Sequence, residues 1–375
     1  MKTVSIITLH YINNYGSVLQ SLATQVFFEN MGLKAEIVDI VRENYKFDAL
    51  LESVRNNMKK RSKYVEKSKC LQNLLIYFWK KQYAREKCLF DAFRNQHLHL
   101  TKNYMNEQEL LKCPPLADVY CTGSDQVWNW QYNDGLLSEY FLSYAPDDKL
   151  KIAYSASFGR TELTEDECKN IYPLLKKYKI ITVRETSALT LLENMGISNA
   201  RFVLDPTLML SKEEWHSLIP LHNLVKQEYV LLYQLNRNKQ MEEFSKDLAK
   251  KHNVKLITIS QSAKAFLYGG KVMRYPSVNE FLSLINFAKF VVTDSFHGTA
   301  FSINFEKQLF VFYPPKYSTR LSSILNYLDI GCRAIENNKN DAFSMAPIDY
   351  SLVTSKLNEA RSDMRSYISE AIIDG

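Results

Sequence analysis

The sequence predicts an α/β protein in which two Rossmann-like domains face a cleft. Short β-branched strands alternate with helix-length segments, which is typical of βαβ units on a parallel sheet. The alternation pauses between Pro206 and Pro220 and then starts again. The length of 375 residues also exceeds the size at which one hydrophobic core usually divides in two.

The first half predicts a sheet interrupted by a helical insertion. The loop at residues 10–14 leads into a helix at about 16–31, which Gly32 ends. No strand pattern is present at about 48–100, so this stretch is expected to be an inserted helical subdomain. Strands are predicted at residues 4–8, 34–39, 118–122, 151–156, 180–183 and 201–204.

The second half repeats the alternation and ends in a long helix. Strands are predicted at residues 229–234, 255–259, 290–293 and 308–312, and helices at 239–252, 278–287, from about 299, and at 318–328. We therefore expect an N-terminal Rossmann-like domain at 1–207 and a C-terminal one at 208–349. The last segment, 350–375, is expected to form a helix that packs across the domains.

Composition excludes several classes of protein. The six cysteines form no CxxC pair and no cluster with histidine, which argues against a zinc site and a disulfide framework and favours a reducing compartment. The N-terminus resembles a strand and not a signal peptide, and no apolar stretch approaches the roughly 20 residues that span a bilayer. These observations predict a cytoplasmic protein. No nucleic-acid motif is present.

The predicted insertion is strongly basic. The segment from Arg55 to Lys87 holds eleven lysines and arginines against two glutamates, a local charge of +9 in a chain of net charge +6. Within it, Leu74–Lys81 places aromatic residues beside lysines, as helices at membrane surfaces do. Peripheral contact with the inner membrane face is one interpretation. A solvated helix that packs Trp79 into its own core is the other.

Ligands of open α/β sheets bind beyond the carboxyl ends of the strands, so the loops that follow strands are the candidate sites. Asn14, after the first strand, can cap the next helix, whose free N–H groups attract an anion. The alternative is a plain cap beside a packing glycine, Gly16. Neither standard nucleotide-binding loop is present.

A second loop, Gly123–Asn129, combines polar and aromatic side chains directly after a strand. Asp125 can bind sugar hydroxyls or act as a base, and Trp128 offers an aromatic face to a sugar ring. Gln126 and Asn129 add amide groups to this candidate acceptor site. The alternative is an Asx-turn with Trp128 in the core.

Two further loops carry charged groups. Arg184 ends a strand, where it can bind a carboxylate or phosphate through two hydrogen bonds or form a salt bridge with Asp205. We interpret Asp205–Thr207 as a turn that sets the hinge between the domains. His297 begins a helix and is the candidate proton donor, with Asp294 available to orient it and Gly298 allowing a ligand to approach the backbone.

These loops resemble the polysaccharide pyruvyl transferase family. The resemblance extends over about residues 3–330 and leaves out the helical insertion and the last forty residues. The ordered series is more specific than any single motif. The matching motifs are Asn14-Tyr-Gly-Ser-Val-Leu-Gln20, Gly123-Ser-Asp-Gln-Val-Trp-Asn129, Tyr154-Ser-Ala-Ser-Phe-Gly159, Arg184-Glu185, Leu204-Asp-Pro-Thr207, Thr293-Asp-Ser-Phe-His-Gly298 and Arg320 before Leu321.

The resemblance implies a GT-B-like fold, phosphoenolpyruvate as the donor substrate and a sugar diol as the acceptor, with a pyruvate ketal as product. Acceptors of this kind are usually lipid-linked. Neither a cofactor nor a metal is required. His297 matches the family's active-site histidine and Arg184 an arginine of its donor site. Many members carry arginine where this chain has Ser295, so donor binding is expected to depend on Arg184 and Arg320.

The candidate site therefore divides into three groups. Catalytic roles fall to His297 and Asp125. Donor contacts are expected from Arg184, Arg320, Ser295, Gly298 and Asn14, and acceptor contacts from Asp125, Gln126, Trp128, Asn129 and Asp294. Two other functions stay open: a GT-B glycosyltransferase that uses a nucleotide sugar, and a catalytically silent glycan-binding relative, which Ser295 favours.

Overall fold

The computed structural model describes residues 1–61, 63–260, 269–314, 318–335 and 343–373. Within these residues the strands form two parallel sheets, one of seven strands and one of five. The first contains β1 (Thr3–Ile7), β2 (Lys34–Ile40), β3 (Leu100–Tyr104), β4 (Val119–Thr122), β5 (Leu150–Ala156), β6 (Ile180–Val183) and β7 (Ala200–Phe202). The second contains β8 (Tyr229–Tyr233), β9 (Lys255–Ser260), β10 (Lys271–Arg274), β11 (Phe290–Thr293) and β12 (Gln308–Val311).

Helices connect the strands and cover the sheets. Those of the first half are α1 (Tyr15–Glu29), α2 (Phe47–Arg61), α3 (Lys63–Lys67), α4 (Lys69–His97), α5 (Glu107–Lys112), α6 (Trp130–Asn133), α7 (Glu165–Leu175) and α8 (Thr186–Asn194). Those that follow are α9 (Pro206–Met209), α10 (Lys212–Leu218), α11 (Lys239–Lys251), α12 (Val278–Asn286), α13 (Phe296–Asn304), α14 (Thr319–Tyr327) and α15 (Tyr350–Ile373). None of these described helices has the length and apolarity needed to cross a membrane.

Both sheets have the strand order of a Rossmann-like fold. The first runs β3-β2-β1-β4-β5-β6-β7 and the second β10-β9-β8-β11-β12. The order reverses between β1 and β4 in one sheet and between β8 and β11 in the other, and such a switch point is where open α/β sheets bind ligands. The predicted fold class, an α/β protein with two Rossmann-like sheets, is confirmed.

Helix α1 joins the two sheets and is buried on all sides. Every residue from Tyr15 to Phe28 is buried, which is the pattern of a helix inside a core and not on a surface. The Tyr15 ring stacks on Phe281 of α12 at 4.2 Å between centroids. Its hydroxyl donates to the Pro276 carbonyl oxygen at 2.5 Å. The start of α1 is thereby fixed against the second half of the chain.

Two edge strands escape prediction. The sequence indicates no strand around residue 100 or between residues 260 and 290, yet β3 pairs with β2, and β10 pairs with β9. Both are short outer strands with polar and partly exposed residues. An edge strand has only one paired neighbour and little buried surface, so the hydrophobic pattern that marks a central strand is missing.

The C-terminal helix α15 contacts both halves of the chain. The Arg361 Nε group donates to the Leu208 carbonyl oxygen at 2.9 Å, near the junction between the sheets. The Lys2 ammonium donates to the carbonyl oxygen of Ile372 at 2.6 Å, beside β1. The Tyr350 hydroxyl donates to the carbonyl oxygen of Lys307, just before β12.

Candidate active site

The two switch points face each other across a cleft of about 220 Å³. The first half supplies loops after β1 and β4, and the second half supplies loops after β8 and β11 and the start of α14. The lining of the cleft includes ten polar or charged residues. Those residues are Asn14, Ser17, Asp125, Gln126, Tyr132, Asn236, Asp294, Ser295, His297 and Arg320.

The start of α1 forms the floor beneath His297. Asn14 caps the helix, its Oδ1 accepting the Gly16 N–H at 2.8 Å. A Cβ at Gly16 would stand 1.9 Å from the His297 Nδ1 atom, so a glycine is required for the imidazole to approach. Ser17 donates through its hydroxyl to Asp125 Oδ2 at 3.0 Å. The first turn of α1 therefore contacts both His297 of the second half and Asp125 of the first half.

Asp125 is held in an unfavourable backbone conformation. Its φ of 79° lies in the left-handed region, which non-glycine residues seldom adopt and which often occurs at functional sites. Its carboxylate accepts hydrogen bonds from the Gln126 N–H at 2.9 Å and from Arg184 Nη2 at 2.9 Å. These contacts stabilise the conformation and aim the carboxylate at the cleft.

Arg184 lies in the wall of the site and not in the cleft. Its Nη1 donates to Asp205 Oδ2 at 2.7 Å and its Nη2 to Asp125 Oδ1, and its side chain has no exposed surface. Both terminal nitrogens are thus occupied by carboxylates, and Arg184 does not line the cleft. This corrects the expected donor contact: the salt bridge with Asp205, which the sequence left open, is the arrangement found.

Asp205 is the functional residue that sequence reasoning assigned to a hinge turn. Its Oδ1 accepts hydrogen bonds from the N–H and hydroxyl of Thr207 at 3.0 and 2.7 Å, which caps α9. Its Oδ2 contacts Arg184 and lies 3.8 Å from His297 Nε2. The position of Asp205 just beyond a strand could have indicated a role in the site. Pro206, which follows it, favoured the interpretation as a turn.

Asp294 does not orient His297. Its carboxylate accepts the backbone N–H groups of Leu235 and Asn236 at 2.6 and 2.9 Å, so it fixes the loop after β8. The expected pairing is corrected: Asp205 is the carboxylate that lies near the imidazole. Burial raises the pKa of Asp294. Asp294 still lines the cleft.

His297 is neutral at pH 7 in this arrangement. Burial lowers its pKa to about 4, although the negative charges of Asp205 and Asp125 act in the opposite direction. Its Nε2 atom is buried and has no hydrogen-bond partner among the described residues. The imidazole therefore presents an unsatisfied nitrogen at the junction of the two halves.

The two carboxylates stay ionised. Burial alone would raise the pKa of Asp125, but the positive charge of Arg184 and other nearby cations hold it well below its usual range. Burial would raise the pKa of Asp205 too, but the nearby His297 and Arg184 lower it overall. Both groups are hydrogen-bond acceptors at any physiological pH.

Arg320 is the cation that remains available. It makes no ion pair with any residue that the structure describes, and its guanidinium lies 5.5 Å from the centre of the Phe296 ring. Burial and the nearby positive charge of Arg184 lower its pKa, yet an arginine stays charged. Its Nε atom is buried without a partner in the described part of the chain. An anion in the cleft would satisfy it.

Two of the expected acceptor residues belong to the core. Trp128 is 2% exposed, stacks on Phe141 at 5.5 Å and donates its indole N–H to the Tyr140 carbonyl oxygen at 3.0 Å. Asn129 is fully buried and donates to Gln126 Oε1 at 2.7 Å. The ring and the amide are therefore corrected to structural roles. Gln126 alone of the three lines the cleft.

Ser295 and Gly298 shape the start of α13. The Ser295 hydroxyl accepts the Gly298 N–H at 3.2 Å, so the helix begins at Phe296 and not near residue 299 as expected. A Cβ at Gly298 would stand 2.6 Å from Thr293 Oγ1. Gly298 is therefore needed for packing against β11, and its expected contact with a ligand stays a prediction.

Metal ligands do not cluster in the described ranges. No three side chains of histidine, cysteine, aspartate or glutamate are arranged there to hold a metal ion.

Comparison with known proteins identifies one family. The family model for polysaccharide pyruvyl transferase matches residues 14–315. No curated protein sequence matches the chain. Among solved structures, Staphylococcus aureus MnaA with UDP is 12% identical, with 99% of this chain and 96% of that one covered and a TM-score of 0.49. UDP-GlcNAc 2-epimerase from Neisseria meningitidis is 10% identical, with both chains covered completely and a TM-score of 0.49.

Proposed function

Because the chain belongs to the polysaccharide pyruvyl transferase family, we propose that it transfers pyruvate from phosphoenolpyruvate to two hydroxyls of one sugar. The acceptor is a precursor of a surface or capsular polysaccharide, and the product is a cyclic ketal. One observation carries the proposal: a proton-transfer group, a cation that forms no ion pair within the described residues, and an ionised carboxylate meet in one small cleft between the two halves of the chain. These groups are His297, Arg320 and Asp125.

The donor is anchored by Arg320 in this proposal. Phosphoenolpyruvate carries a carboxylate and a phosphate, and a guanidinium binds either through two parallel hydrogen bonds. The first turn of α13 adds free backbone N–H groups beside the same cleft. Ser295 caps that turn through its hydroxyl. At the position where many relatives carry a cation, this chain therefore has the residue that caps a helix N-terminus.

His297 is the proposed acid. Burial gives His297 a pKa of about 4, which is too low for a proton donor at neutral pH. A bound donor brings several negative charges to a buried site, and nearby anions favour the imidazolium. Donor binding is therefore expected to raise the pKa of His297 and to load it with the proton that the reaction needs.

The proposed reaction balances without a cofactor. His297 gives its proton to the methylene carbon of phosphoenolpyruvate, which becomes a methyl group and leaves a positive centre at the adjoining carbon. One sugar hydroxyl attacks that carbon, the bond to the phosphate oxygen breaks, and the second hydroxyl closes the ring. The two hydroxyl protons go to the departing phosphate and back to His297.

Asp125 positions the acceptor and does not remove its proton. A carboxylate with a pKa well below its usual range is a poor base but a strong hydrogen-bond acceptor. Gln126 and Asp294 add acceptor oxygens on either side of the cleft. The three groups together can hold two neighbouring hydroxyls, which is what ketal formation requires.

The proposal is tested by donor binding and turnover. Phosphoenolpyruvate should raise the thermal unfolding midpoint, UDP- and GDP-sugars should not, and His297→Ala should lose about 10²–10⁴-fold in turnover. A shift with a nucleotide sugar alone would support a glycosyltransferase. Donor binding without turnover on any glycoside would support a silent glycan-binding relative. Near-normal turnover by His297→Ala would exclude His297 as the acid.

The basic insertion supports a further part of the proposal, docking on the cytoplasmic face of an anionic membrane. Leu74, Tyr77 and Phe78 of α4 are 50%, 52% and 59% exposed, and Lys80 and Lys81 beside them are exposed as well. Aromatic residues next to lysines suit the boundary between lipid headgroups and acyl chains. A docked enzyme would meet a lipid-linked acceptor at the membrane surface.

A further inference from the structure

A second cavity lies between the helical insertion and the edge of the first sheet. It has a volume of about 700 Å³ and is lined by α2, by α4 and by the loops after β1, β2 and β3. We call it the insertion groove. No motif of the family resemblance includes α2 or α4, and the reaction proposed above uses none of the residues in these helices.

The active-site cleft is too small for an extended acceptor. At about 220 Å³ it falls below the roughly 300–1,000 Å³ of pockets that enclose a drug-sized ligand. Phosphoenolpyruvate and one reacting sugar would fill it. A precursor of a polysaccharide carries further sugars, and these need a surface outside the cleft. The insertion groove has the volume for them.

The groove and the cleft adjoin. Ile12 lines both cavities. Asn13 lines the groove and Asn14, the next residue, lines the cleft. At a second point the hydroxyls of Tyr45, in the groove, and Tyr132, in the cleft, are 2.5 Å apart. One chain of sugars could therefore extend from the reacting position into the groove.

The wall contributed by the insertion is aromatic. The rings of Phe47 in α2 and Tyr83 in α4 lie 5.5 Å apart, and both line the groove. Phe47 is 41% exposed, so its ring is available to a ligand. Aromatic rings bury the apolar C–H face of a sugar, while hydroxyls at the rim of the ring remain free for hydrogen bonds.

Binding of an uncharged sugar also requires hydrogen-bonding groups without a large net charge, and the groove provides them. Asp91 is paired with Lys87 and with Arg94, and Asp39 with His10. Three carboxylates and three cations line the groove, so their formal charges cancel and the groove offers no strong field for a polyanion such as a nucleotide or a lipid diphosphate. Uncharged amides and the carboxylate oxygens remain as partners for hydroxyls.

Arg94 holds the groove in shape. Its Nη2 donates to Asp91 Oδ1 at 2.6 Å within α4 and to Asn13 Oδ1 at 2.9 Å in the loop after β1. The insertion is thereby tied to the loop that leads into the cleft. A ligand in the groove meets a wall that is already assembled.

We infer that the insertion groove is a saccharide subsite, which binds the sugars of an uncharged oligosaccharide acceptor that follow the reacting sugar. This inference depends on the proposed function, since it assigns the acceptor of that reaction. It gives the helical insertion a role in substrate selection: the cleft determines the chemistry, and the groove determines which oligosaccharide is presented to it.

Two variants and a matched control test the inference in turnover. Tyr83→Ala removes an aromatic ring, and Asn95→Trp places a large side chain into the groove from an exposed position of α4. Gln96→Trp, at an exposed position of the same helix that does not line the groove, is the control. The acceptors are a monosaccharide glycoside and a tri- to pentasaccharide with the same terminal sugar.

Both groove variants should lower kcat/KM for the oligosaccharide by about 10-fold or more, through KM. The kcat/KM for the monosaccharide, the KM for phosphoenolpyruvate and all constants of the Gln96→Trp control should be unchanged. An equal loss on both acceptors, or no loss on the longer one, would overturn the inference.

Direct binding separates the inference from the proposed function. Titration calorimetry without donor uses a set of uncharged hexose and N-acetylhexosamine oligosaccharides of three to five sugars. Binding to the wild type that Asn95→Trp abolishes would support the subsite even if no pyruvate is transferred. The inference would be overturned if none of these oligosaccharides bound, or if pyrophosphate displaced them from the groove. Either result would leave the proposed transfer to small glycosides intact.

Discussion

Gly16 and His297 meet where the two halves of the chain join. Because a Cβ on residue 16 would stand 1.9 Å from Nδ1, the imidazole is placed by the absence of a side chain as much as by its own helix. On its other side Asp205 Oδ2 lies 3.8 Å from Nε2 and 2.7 Å from Arg184 Nη1. The histidine thus lies beside an ion pair that is already satisfied.

Burial of a neutral histidine makes the stability of the protein depend on pH. The pKa of His297 is about 4 in the folded state and about 6.5 in the unfolded state, so the unfolded chain binds more protons between these values. Stability from this group is fully present above pH 6.5 and is lost as the pH falls towards 4.

His297→Gln removes that dependence. The free energy of unfolding of the wild type should fall by about 3 kcal/mol more than that of the variant between pH 6.5 and pH 4. Urea unfolding across this range measures the difference. Parallel curves for the two proteins would show that His297 is not buried in its neutral form.

Two arginines of the site should respond differently to the same substitution. Arg184→Met leaves Asp125 and Asp205 buried without their cation and should destabilise the fold by roughly 3–5 kcal/mol. Arg320→Met breaks no ion pair of the described residues. It should leave the unfolding midpoint nearly unchanged and weaken phosphoenolpyruvate binding by about 10-fold or more.

Urea unfolding and calorimetric titration with phosphoenolpyruvate measure both effects on the same samples. The assignment of the two roles would be refuted if Arg184→Met were as stable as the wild type, or if Arg320→Met bound the donor normally.

The position of residues at the carboxyl ends of strands predicts which of them lie close together. It does not predict which of them form ion pairs or hydrogen bonds with each other. Arg184, Asp125 and His297 each follow a predicted strand, and parallel strands bring such positions together. The pairing of His297 with Asp205 and not Asp294 depends on which way each carboxylate turns, and Asp294 is held by two backbone N–H groups. The expected contact of Trp128 with the acceptor is wrong, because an aromatic ring after a strand is equally compatible with a sugar site and with a core.

At the level of elements, the sequence predicts the central strands, the buried helices and the edge strands β7 and β12, but not the edge strands β3 and β10. The strands β6 and β11 have the predicted bounds because they are apolar runs between polar loops. The outer strands β3 and β10 carry polar, partly exposed residues, and they are recognised as strands only by their pairing with β2 and β9.

Helix α4 combines two surfaces with different expected partners. One lines the insertion groove, and the other exposes Leu74, Tyr77 and Phe78 next to lysines. Each basic residue near an anionic bilayer contributes about 1 kcal/mol, an attraction that salt screens. We therefore expect the chain to sediment with vesicles that contain anionic lipid, and less so at high salt.

Replacement of Tyr77 and Phe78 by serine should lower that sedimentation about 10-fold or more, because two exposed rings would no longer enter the headgroup region. Leu116→Ser is the matched control, since Leu116 is 95% exposed and lies outside the insertion. Sedimentation that is independent of anionic lipid and salt, or equal loss in the control, would remove the docking proposal.

In the whole molecule, two Rossmann-like sheets bring their switch points to one cleft. Buried helix α1 belongs to the first sheet by sequence and packs against α9 and α13 of the second half. The cleft therefore depends on both halves: Asp125 comes from the first half, and His297 and Arg320 come from the second. Strand alternation predicted the two sheets, whereas the packing between them depends on contacts far apart in sequence.

The central claim is that this cleft forms a pyruvate ketal on a sugar. The most direct measurement incubates the protein with phosphoenolpyruvate and a set of lipid-linked and simple glycosides, and follows phosphate release together with acceptor mass. The account predicts one phosphate released for each acceptor that gains a pyruvyl ketal, with both signals lost in Arg320→Met. Phosphate release without a matching mass gain, or mass gain from a nucleotide sugar instead, would contradict it.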